Sequence, residues 1–377
     1  MFSGGNGLSS SPHARSASTS PAVGVAQRQS LRSVTSSVSP EKKAAAAAES
    51  PSSSPARAAR LQRLLSEKEI DLDKLRKLCW TGIAPEYRAH AWLVMLHVLP
   101  VAPDQWPAMV QKRLNSYREL VQGNYNLDES QQTAQMHNTL KQIQKDAPRT
   151  HPDLPVFQHP RIQELLVRLL YIWAVRHPAT GYVQGMNDLV SPFIYVFLAD
   201  HCKGIFEDIN LDSIDDAALE LVESRSFFCF SKISDLIPDN YLFGQPGIQR
   251  MLYRFEQLVK RIEAPLYNHL IETDVQFLQF GFRWMNCYLI REMPLDMIVR
   301  LWDTYISDDQ NAGFTAFHVY ATTSLLVYYG PQLMGLNFPD ILMFLQNLPT
   351  RSLTPQDVDS ILSQAFVYQS LFSSTKF

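Results

Sequence analysis

The clearest hydrophobic pattern in the chain lies in the stretch from residue 162 to residue 173. Apolar side chains recur there at intervals of three and four residues, at Ile162, Leu165, Leu166, Leu169, Leu170 and Trp173. This spacing places them on one face of a helix. We therefore predict an amphipathic helix that would fix the distance between the two segments flanking it.

Helical patterns also fill most of the remaining chain. Asp71 can cap a helix, Arg88 to Trp92 begins another, residues 101–145 read as polar helix, and Met186 to Ala199 reads as a buried helix. Residues 201–223 resemble a polar insertion. Further helices are predicted at Phe227–Asp235, Gly247–Ile262, Val275–Glu292, Leu295–Ile306, Ala316–Tyr329, Pro339–Gln346 and Pro355–Phe366. Because no sustained alternation with period two occurs, the predicted class is all-α.

Two polar segments flank the central amphipathic helix. The first, Ile143–Arg149, carries Asp146 and Arg149 three residues apart, and the prolines that follow up to Pro160 predict a stiff, non-helical loop. The second is a glycine-bracketed turn, Gly181–Asp188, that carries Gln184. Together they offer a charge-stabilising donor and a water-orienting amide. They lack a nucleophile, metal ligands and a phosphate loop, as would be expected if another protein supplied the rest of the site.

The N-terminal residues have a different composition. Residues 1–60 contain 16 serines and almost no large apolar side chains, so we predict a disordered Ser/Ala/Pro-rich tail over residues 1–65. Order should begin near Leu61–Leu65 or at Asp71. Arg15-Ser16, Arg28-Gln-Ser30 and Ser20-Pro21 resemble kinase sites, and phospho-dependent partners of the tail would follow from that interpretation. The alternative is that these are simply solvated polar residues.

Net charge separates the same two regions. Residues 1–60 carry +5, whereas the rest of the chain carries −8 of the total −3. Nucleic-acid binding requires a basic footprint, so an acidic folded part makes nucleic acid an unlikely partner.

Other functional classes are also disfavoured. The four cysteines form no CxxC pair, which predicts buried thiols and no metal site. The longest apolar run, about residues 190–199, is too short to span a bilayer, and no signal core opens the chain. The protein is therefore predicted to be cytoplasmic.

The polar residues alone leave their roles open. Asp146 and Arg149 could form a surface ion pair or present a catalytic arginine, and Gln184 could simply belong to a turn. Trp284 and Trp302 lie at helical spacing typical of a core. The sequence contains no GxxxxGK[ST], HExxH or GxSxG pattern.

Five motifs in order carry a resemblance to a known family. They are Arg88-xxx-Trp92, Ile143-xx-Asp146-xx-Arg149, Tyr182-x-Gln184-Gly185, Phe282-Arg283-Trp284 and Arg300-Leu-Trp302-Asp303. This set resembles the TBC domain of Rab GTPase-activating proteins over roughly residues 75–368. Arg176 to Gly185 and Gln245-Pro-Gly-Ile are most similar to the branch acting on Golgi Ypt/Rab proteins.

The resemblance implies a fold and a set of roles. The fold would be one large V-shaped helical domain. Arg149 would be an arginine finger and Gln184 a glutamine finger, supported by Asp146, Tyr182 and Gly185. The residues that would form the structural motif are Arg88, Trp92, Arg283, Trp284, Trp302 and Asp303.

The same resemblance implies a partner. The chain would accelerate GTP hydrolysis by a Rab-family GTPase in its GTP form and so regulate vesicle traffic, in the cytoplasm and peripherally at the Golgi. It would need no cofactor of its own, because the partner carries GTP and Mg²⁺. Two alternatives stay open, a non-catalytic Rab-binding scaffold and a helical adaptor.

Overall fold

A computed structural model describes residues 55–202, 206–308 and 312–374. In this part of the chain every regular element is helical, which confirms the all-α prediction. Sixteen α-helices are numbered here in chain order. They are α1 Pro55–Leu65, α2 Leu72–Cys79, α3 Pro85–Met95, α4 Trp106–Asn124, α5 Ala134–Asp146, α6 Pro155–Gln158, α7 Pro160–Arg176, α8 Met186–Cys202, α9 Asp216–Leu236, α10 Pro246–Ile262, α11 Ala264–Glu272, α12 Leu278–Asn286, α13 Leu295–Ile306, α14 His318–Leu333, α15 Phe338–Gln346 and α16 Pro355–Phe372.

Helix α7 is the amphipathic helix predicted from the spacing of its apolar residues. It begins with Pro160, whose missing N–H costs nothing in the first turn, and the His159 side chain accepts a hydrogen bond from the Arg161 backbone N–H at 3.3 Å. Its apolar face is buried, and the helix packs against α5, α8 and α9. The loop that ends α5 and the turn that begins α8 are thereby attached to one rigid element.

The folded part begins earlier than the sequence predicted. Residues 55–65 fall in the range expected to be disordered, yet they form α1, which packs against α2 and α3. Leu61, Leu64 and Leu65 bury themselves there because their spacing puts them on one helix face. The expectation of disorder for residues 1–54 lies outside the described residues.

Prolines do not exclude helix between residues 146 and 160, contrary to the sequence prediction. Helix α5 extends through Asp146 and continues as a 3-10 turn over Ala147–Arg149, with Pro148 at its second position. Pro155 and Pro160 each occupy the first position of a helix. Proline is accepted in a first helical turn, where its N–H would have no intrahelical partner.

Several other helix boundaries differ from the prediction, including the break between α4 and α5 inside residues 101–145. Helix α9 begins at Asp216, inside the supposed polar insertion, where the Asp215 side chain caps it through the Ala218 N–H at 2.6 Å. Helix α12 ends at Asn286, because Tyr288 and Leu289 adopt left-handed backbone angles with φ of 51° and 62°. These residues carry no glycine or proline signal that would have indicated the break.

A single buried carboxylate joins the first third of the described chain to the last. Asp303, with no exposed surface, accepts hydrogen bonds from Arg88 Nε at 3.1 Å, Trp92 Nε1 at 2.8 Å and the Ile83 N–H at 2.9 Å. Trp92 and the neighbouring Trp302 pack with ring centroids 6.4 Å apart. Two motifs that are distant in sequence therefore form one structural unit in the core.

Two further motif residues, Arg283 and Trp284, connect α12 to its surroundings. Arg283 binds Glu292 in bidentate fashion, with Nε to Oε1 at 2.6 Å and Nη2 to Oε2 at 2.8 Å. The adjacent Trp284 is fully buried and packs edge-on against Phe280. Among the helices described, none is both long and apolar enough to cross a bilayer.

Candidate functional site

Arg149 is exposed to solvent on a segment in which Asp146, Ala147 and Thr150 are buried. Its side chain is 68% exposed, whereas that of Asp146 is 8% exposed, and the two approach no closer than 3.5 Å between Nη1 and Oδ1. Ala147 and Thr150 on either side are almost fully buried. The backbone is thus anchored around Arg149 while the guanidinium remains available to a partner.

Asp146 makes its closer contact with the second segment. The Tyr182 hydroxyl lies 3.0 Å from Asp146 Oδ2 and 3.2 Å from Asn187 Oδ1. Burial, and then the neighbouring Asp146, raise the pKa of Tyr182, so the hydroxyl stays protonated and can donate to the carboxylate. Asp146 is thereby linked to both the arginine and the glutamine segments.

Asn187 forms a second link between these segments. Its Nδ2 donates to Thr150 Oγ1 at 2.9 Å, and its Oδ1 accepts from the Gly185 N–H at 3.2 Å. Asn187 and Thr150 are both fully buried. A buried polar network with its partners satisfied holds a specific geometry, and here it fixes the arginine segment to the turn carrying Gln184.

Gln184 itself is exposed and lies in a turn that requires glycine. Gly181 and Gly185 have φ of 63° and 103°, in the region that residues with a Cβ rarely occupy. The Gln184 carbonyl accepts a hydrogen bond from Asn286 Nδ2 at 3.1 Å. The backbone of the turn is therefore fixed while the side-chain amide faces outward.

An ion pair between the buried Asp188 and the exposed Arg291 lies at the start of α8, directly after the turn. Asp188 Oδ2 is 2.8 Å from Arg291 Nε and 3.7 Å from Cys287 Sγ. Burial raises the pKa of Asp188, and Arg291 opposes this rise. The pair ties the glutamine turn to the segment that follows α12.

His151 completes the base of the site. Its Nε2 lies 2.7 Å from Ser191 Oγ, and that hydroxyl donates its proton to the Asp188 carbonyl at 2.6 Å. The imidazole must therefore donate from Nε2 to the serine. Burial, and then Arg291, lower the pKa of His151 to about 4, so it is neutral at physiological pH.

Asp146 thus contacts both Arg149 and Tyr182, and Asn187 connects Tyr182 to Gly185. The six structural-motif residues lie elsewhere. Arg88 and Trp92 bind the Asp303 carboxylate, and Trp302 packs against Trp92. Arg283 and Trp284 belong to α12. The site offers a cation and an amide on a rigid base.

Comparison with known proteins identifies the family. The sequence profile of the Rab-GTPase-TBC domain matches residues 85–334. The chain belongs to this family. The five motifs of the sequence analysis all lie within the matched residues.

Full-length relatives of this TBC chain are similar over most of it. TBC1 domain family member 22B of Homo sapiens is 39% identical over 315 residues, which cover 83% of this chain and 61% of that protein. GTPase-activating protein gyp1 of Schizosaccharomyces pombe is 39% identical over 318 residues, with the same coverage of each chain. The chain therefore spans about 61% of the length of these curated relatives.

Solved structures match the TBC fold as well. The crystal structure of the Ypt/Rab-GAP domain of Gyp1p has a TM-score of 0.79 and 37% identity, and the match covers 84% of this chain and 98% of that one. The Chlamydomonas flagellar RabGAP TBC domain has a TM-score of 0.58 at 18% identity and supports the fold alone. The expected TBC fold is confirmed.

Sequence reasoning missed three residues that shape this TBC site. Asn187 is part of the glutamine turn, so its position beside Gly185 was a signal that could have been used. Asn286 and Arg291 lie about a hundred positions from the residues they contact. Nothing local in the sequence indicates those two contacts.

Proposed function

We propose that the chain is a GTPase-activating protein for a Rab-family GTPase in its GTP form, and that Arg149 and Gln184 act in trans. The observation that supports this most directly is the link between two exposed side chains. Arg149 and Gln184 both face solvent, on segments that Asp146, Tyr182 and Asn187 join through buried hydrogen bonds. Such an arrangement suits groups that must enter another protein's active site together.

The proposed role of Arg149 follows from the charge of the transition state. GTP hydrolysis spreads negative charge over the transferred phosphoryl group and the leaving group, and an arginine supplied in trans contributes about 10³–10⁵ in rate. A guanidinium offers planar, fixed donors that need no change in protonation. Since Arg149 is anchored on both sides by buried residues, it can approach the nucleotide without a large loss of backbone entropy.

The proposed role of Gln184 is to orient the attacking water. A side-chain amide can accept a hydrogen bond from water through its oxygen and donate to a phosphate through its nitrogen. Gly181 and Gly185 supply the positive φ angles of the turn on which Gln184 is exposed. Asp146, Tyr182 and Gly185 are assigned supporting roles.

GTP and Mg²⁺ belong to the partner in this proposal and are its substrate and metal. The structural-motif residues would act through stability, in one group around Asp303 and a second group in α12; they are Arg88, Trp92, Trp302 and Asp303, and Arg283 and Trp284. Residues 75–368 would form the GTPase-binding domain. A cytoplasmic location, with peripheral attachment at the Golgi, follows from the similarity to the Golgi Ypt/Rab branch, and the phospho-dependent partners of the tail stay with this proposal.

The decisive experiment is a screen of purified Rab GTPases loaded with GTP. Single-turnover hydrolysis is measured with and without the protein, and acceleration of at least one GTPase by a hundredfold or more is expected, below the full arginine contribution of about 10³–10⁵. Binding to a GTP-form Rab without acceleration would favour the non-catalytic scaffold instead. No binding to any Rab would leave the helical adaptor.

A further inference from the structure

Asn286, the last residue of α12, connects two turns that are far apart in sequence. Its side chain is largely buried, with 8% of the residue exposed. Nδ2 donates to the Gln184 carbonyl at 3.1 Å, and Oδ1 accepts from Gln245 Nε2 at 3.2 Å. Both ends of the amide are therefore engaged, one by each turn.

The contact with the glutamine turn is close enough to depend on glycine. A Cβ placed on Gly185 would lie 2.6 Å from Asn286 Nδ2 and 3.4 Å from Cys287 Sγ. Distances below 3.0 Å would force one of the groups to move. The missing side chain at Gly185 thus creates the space in which the Asn286 amide reaches the Gln184 carbonyl.

Gln245, which binds Oδ1 of Asn286, has a strained backbone conformation. It has φ of 46°, a left-handed angle that is unfavourable for a residue with a Cβ. Its Nε2 donates to Asn286 and also to the Asn240 carbonyl at 3.0 Å. A strained conformation persists where surrounding contacts determine it, and these two bonds are such contacts.

We propose that Asn286 is a positioning residue for Gln184 and that Gln245 keeps the Asn286 amide in the required orientation. This inference rests on the proposed function. Gly181 and Gly185 give the turn wide backbone freedom, so the carbonyl of Gln184 needs an external partner to fix the direction of its side chain. Asn286 supplies that partner and acts on the reaction only through Gln184.

Catalytic geometry is sensitive to such support. A displacement of about 1 Å in a group that orients a reactant can cost about a hundredfold in rate. Loss of one hydrogen bond to the backbone of Gln184 should therefore reduce turnover more than it reduces affinity for the GTPase. If Asn286 had only a structural role, its substitution would change stability without lowering turnover more than affinity.

The experiment compares three substitutions with a matched control. Asn286→Ala removes both bonds, and Asn286→Asp keeps the acceptor for Gln245 but replaces the donor to Gln184. Gln245→Gly removes the amide at a position where glycine adopts the backbone angle freely. The control is Gln249→Ala, because Gln249 Nε2 bonds the Gly244 carbonyl of the same turn at 2.6 Å without reaching Asn286.

Single-turnover hydrolysis is measured over a range of protein concentrations with a responsive Rab. Asn286→Ala and Asn286→Asp should lower the saturated rate about tenfold or more, with less than a twofold change in the half-saturating concentration. Gln245→Gly should have a smaller effect of the same kind, and Gln249→Ala none.

A second measurement needs no GTPase. Amide hydrogen exchange of residues 182–186 should accelerate in Asn286→Ala and stay unchanged in Gln249→Ala, at equal global stability. If wild type accelerates no Rab, the proposed function fails and exchange alone decides whether Asn286 orders the turn. If Asn286→Ala retains more than half the saturated rate, the positioning role is overturned.

Discussion

The phenolic oxygen of Tyr182 lies 3.0 Å from Oδ2 of Asp146, although the two residues are 36 positions apart. The contact is buried and joins the segment of Arg149 to the segment of Gln184. Arg149 itself meets Asp146 only at 3.5 Å and with most of its side chain in solvent. The carboxylate is therefore positioned by the tyrosine more than by the arginine.

Tyr182→Phe tests this relationship. Removing the hydroxyl leaves a buried carboxylate with one donor fewer, which should lower the free energy of unfolding by about 1–3 kcal/mol. It should also slow GTPase activation about tenfold, because the segments that carry Arg149 and Gln184 lose a shared contact. Tyr267→Phe is the control, since the Tyr267 hydroxyl contacts Glu256 at 3.4 Å outside this network. A Tyr182→Phe protein that is less stable but equally fast would show that the link serves the fold alone.

Arg149→Ala should remove nearly all activation, and Arg149→Lys should recover little of it, because an ammonium cannot reproduce the planar fork. Single-turnover hydrolysis is the measurement, with thermal unfolding to verify the fold. Arg351→Ala is a matched control, since Arg351 is also exposed and also paired with an aspartate, Asp153. An Arg149→Ala protein with more than about a tenth of the wild-type rate would exclude the arginine-finger role, given the expected 10³–10⁵.

Gln184 is tested together with the glutamine of the GTPase. If Gln184 orients the water, a Rab whose own switch glutamine is changed to alanine should still be accelerated by the wild-type protein. Gln184→Ala should abolish acceleration of both forms of the Rab. A glutamine that merely stabilises its turn predicts the reverse, an inert mutant Rab and a Gln184→Ala protein that loses stability more than rate.

The sequence pattern predicted which segments form helices better than it predicted where those helices begin and end. The stripe of apolar residues in α7 was sufficient to predict that helix, because burial of one face decides both its type and its partners. The end of α12 could not be predicted, because Tyr288 and Leu289 turn the chain through backbone angles that only the tertiary structure stabilises. The first turns of α1 were missed because residues 55–60 carry no large apolar side chain, whereas Leu61–Leu65 is a predicted start of the folded part.

In the candidate site, too, some features could be predicted from the sequence and others could not. Arg149 and Gln184 could be proposed from the sequence because each belongs to a short motif with characteristic spacing. The contacts that would hold them could not, since Asn286 lies 102 positions from Gln184 and Arg291 lies 103 from Asp188. Such pairs arise only when separate helices pack, and no local pattern encodes them.

Asp303 should dominate the stability of the helical core. Asp303→Ala leaves Arg88, Trp92 and the Ile83 N–H without a common buried acceptor, and breaking a buried pair in this way costs about 3–5 kcal/mol. Urea denaturation should show a lower midpoint with an unchanged slope. Asp153→Ala, which removes an exposed pair with Arg351, should shift the midpoint little. Equal effects of the two substitutions would contradict the role assigned to Asp303.

His318 predicts a dependence of stability on pH. Burial lowers the pKa of this fully buried imidazole to about 3, against about 6.5 in an unfolded chain. Above pH 6.5 both states are neutral. As the pH falls from about 6.5 towards 3, only the unfolded chain takes up the proton, so stability is lost by up to about 1.4 kcal/mol per pH unit.

His318→Gln is the test of this dependence. A glutamine can donate to the Trp284 carbonyl and accept from the Tyr305 hydroxyl as the imidazole does, but it does not titrate. The free energy of unfolding is measured by urea at several pH values between 4 and 7. The slope should be smaller in the variant, and parallel curves for the two proteins would show that His318 does not contribute.

The shared carboxylate of Asp303 also sets an order of events during synthesis. Arg88 leaves the ribosome 215 residues before Asp303, its only side-chain partner among the contacts described above. At the usual rates of about 5–20 residues per second, roughly 10–40 seconds pass between the synthesis of Arg88 and that of Asp303. During this time the Arg88 guanidinium and the Trp92 indole lack their buried acceptor. The N-terminal helices of the domain therefore emerge unfinished, with apolar surface available to chaperones or to other chains. A chain truncated before residue 303 would never supply this carboxylate, so that apolar surface would stay available.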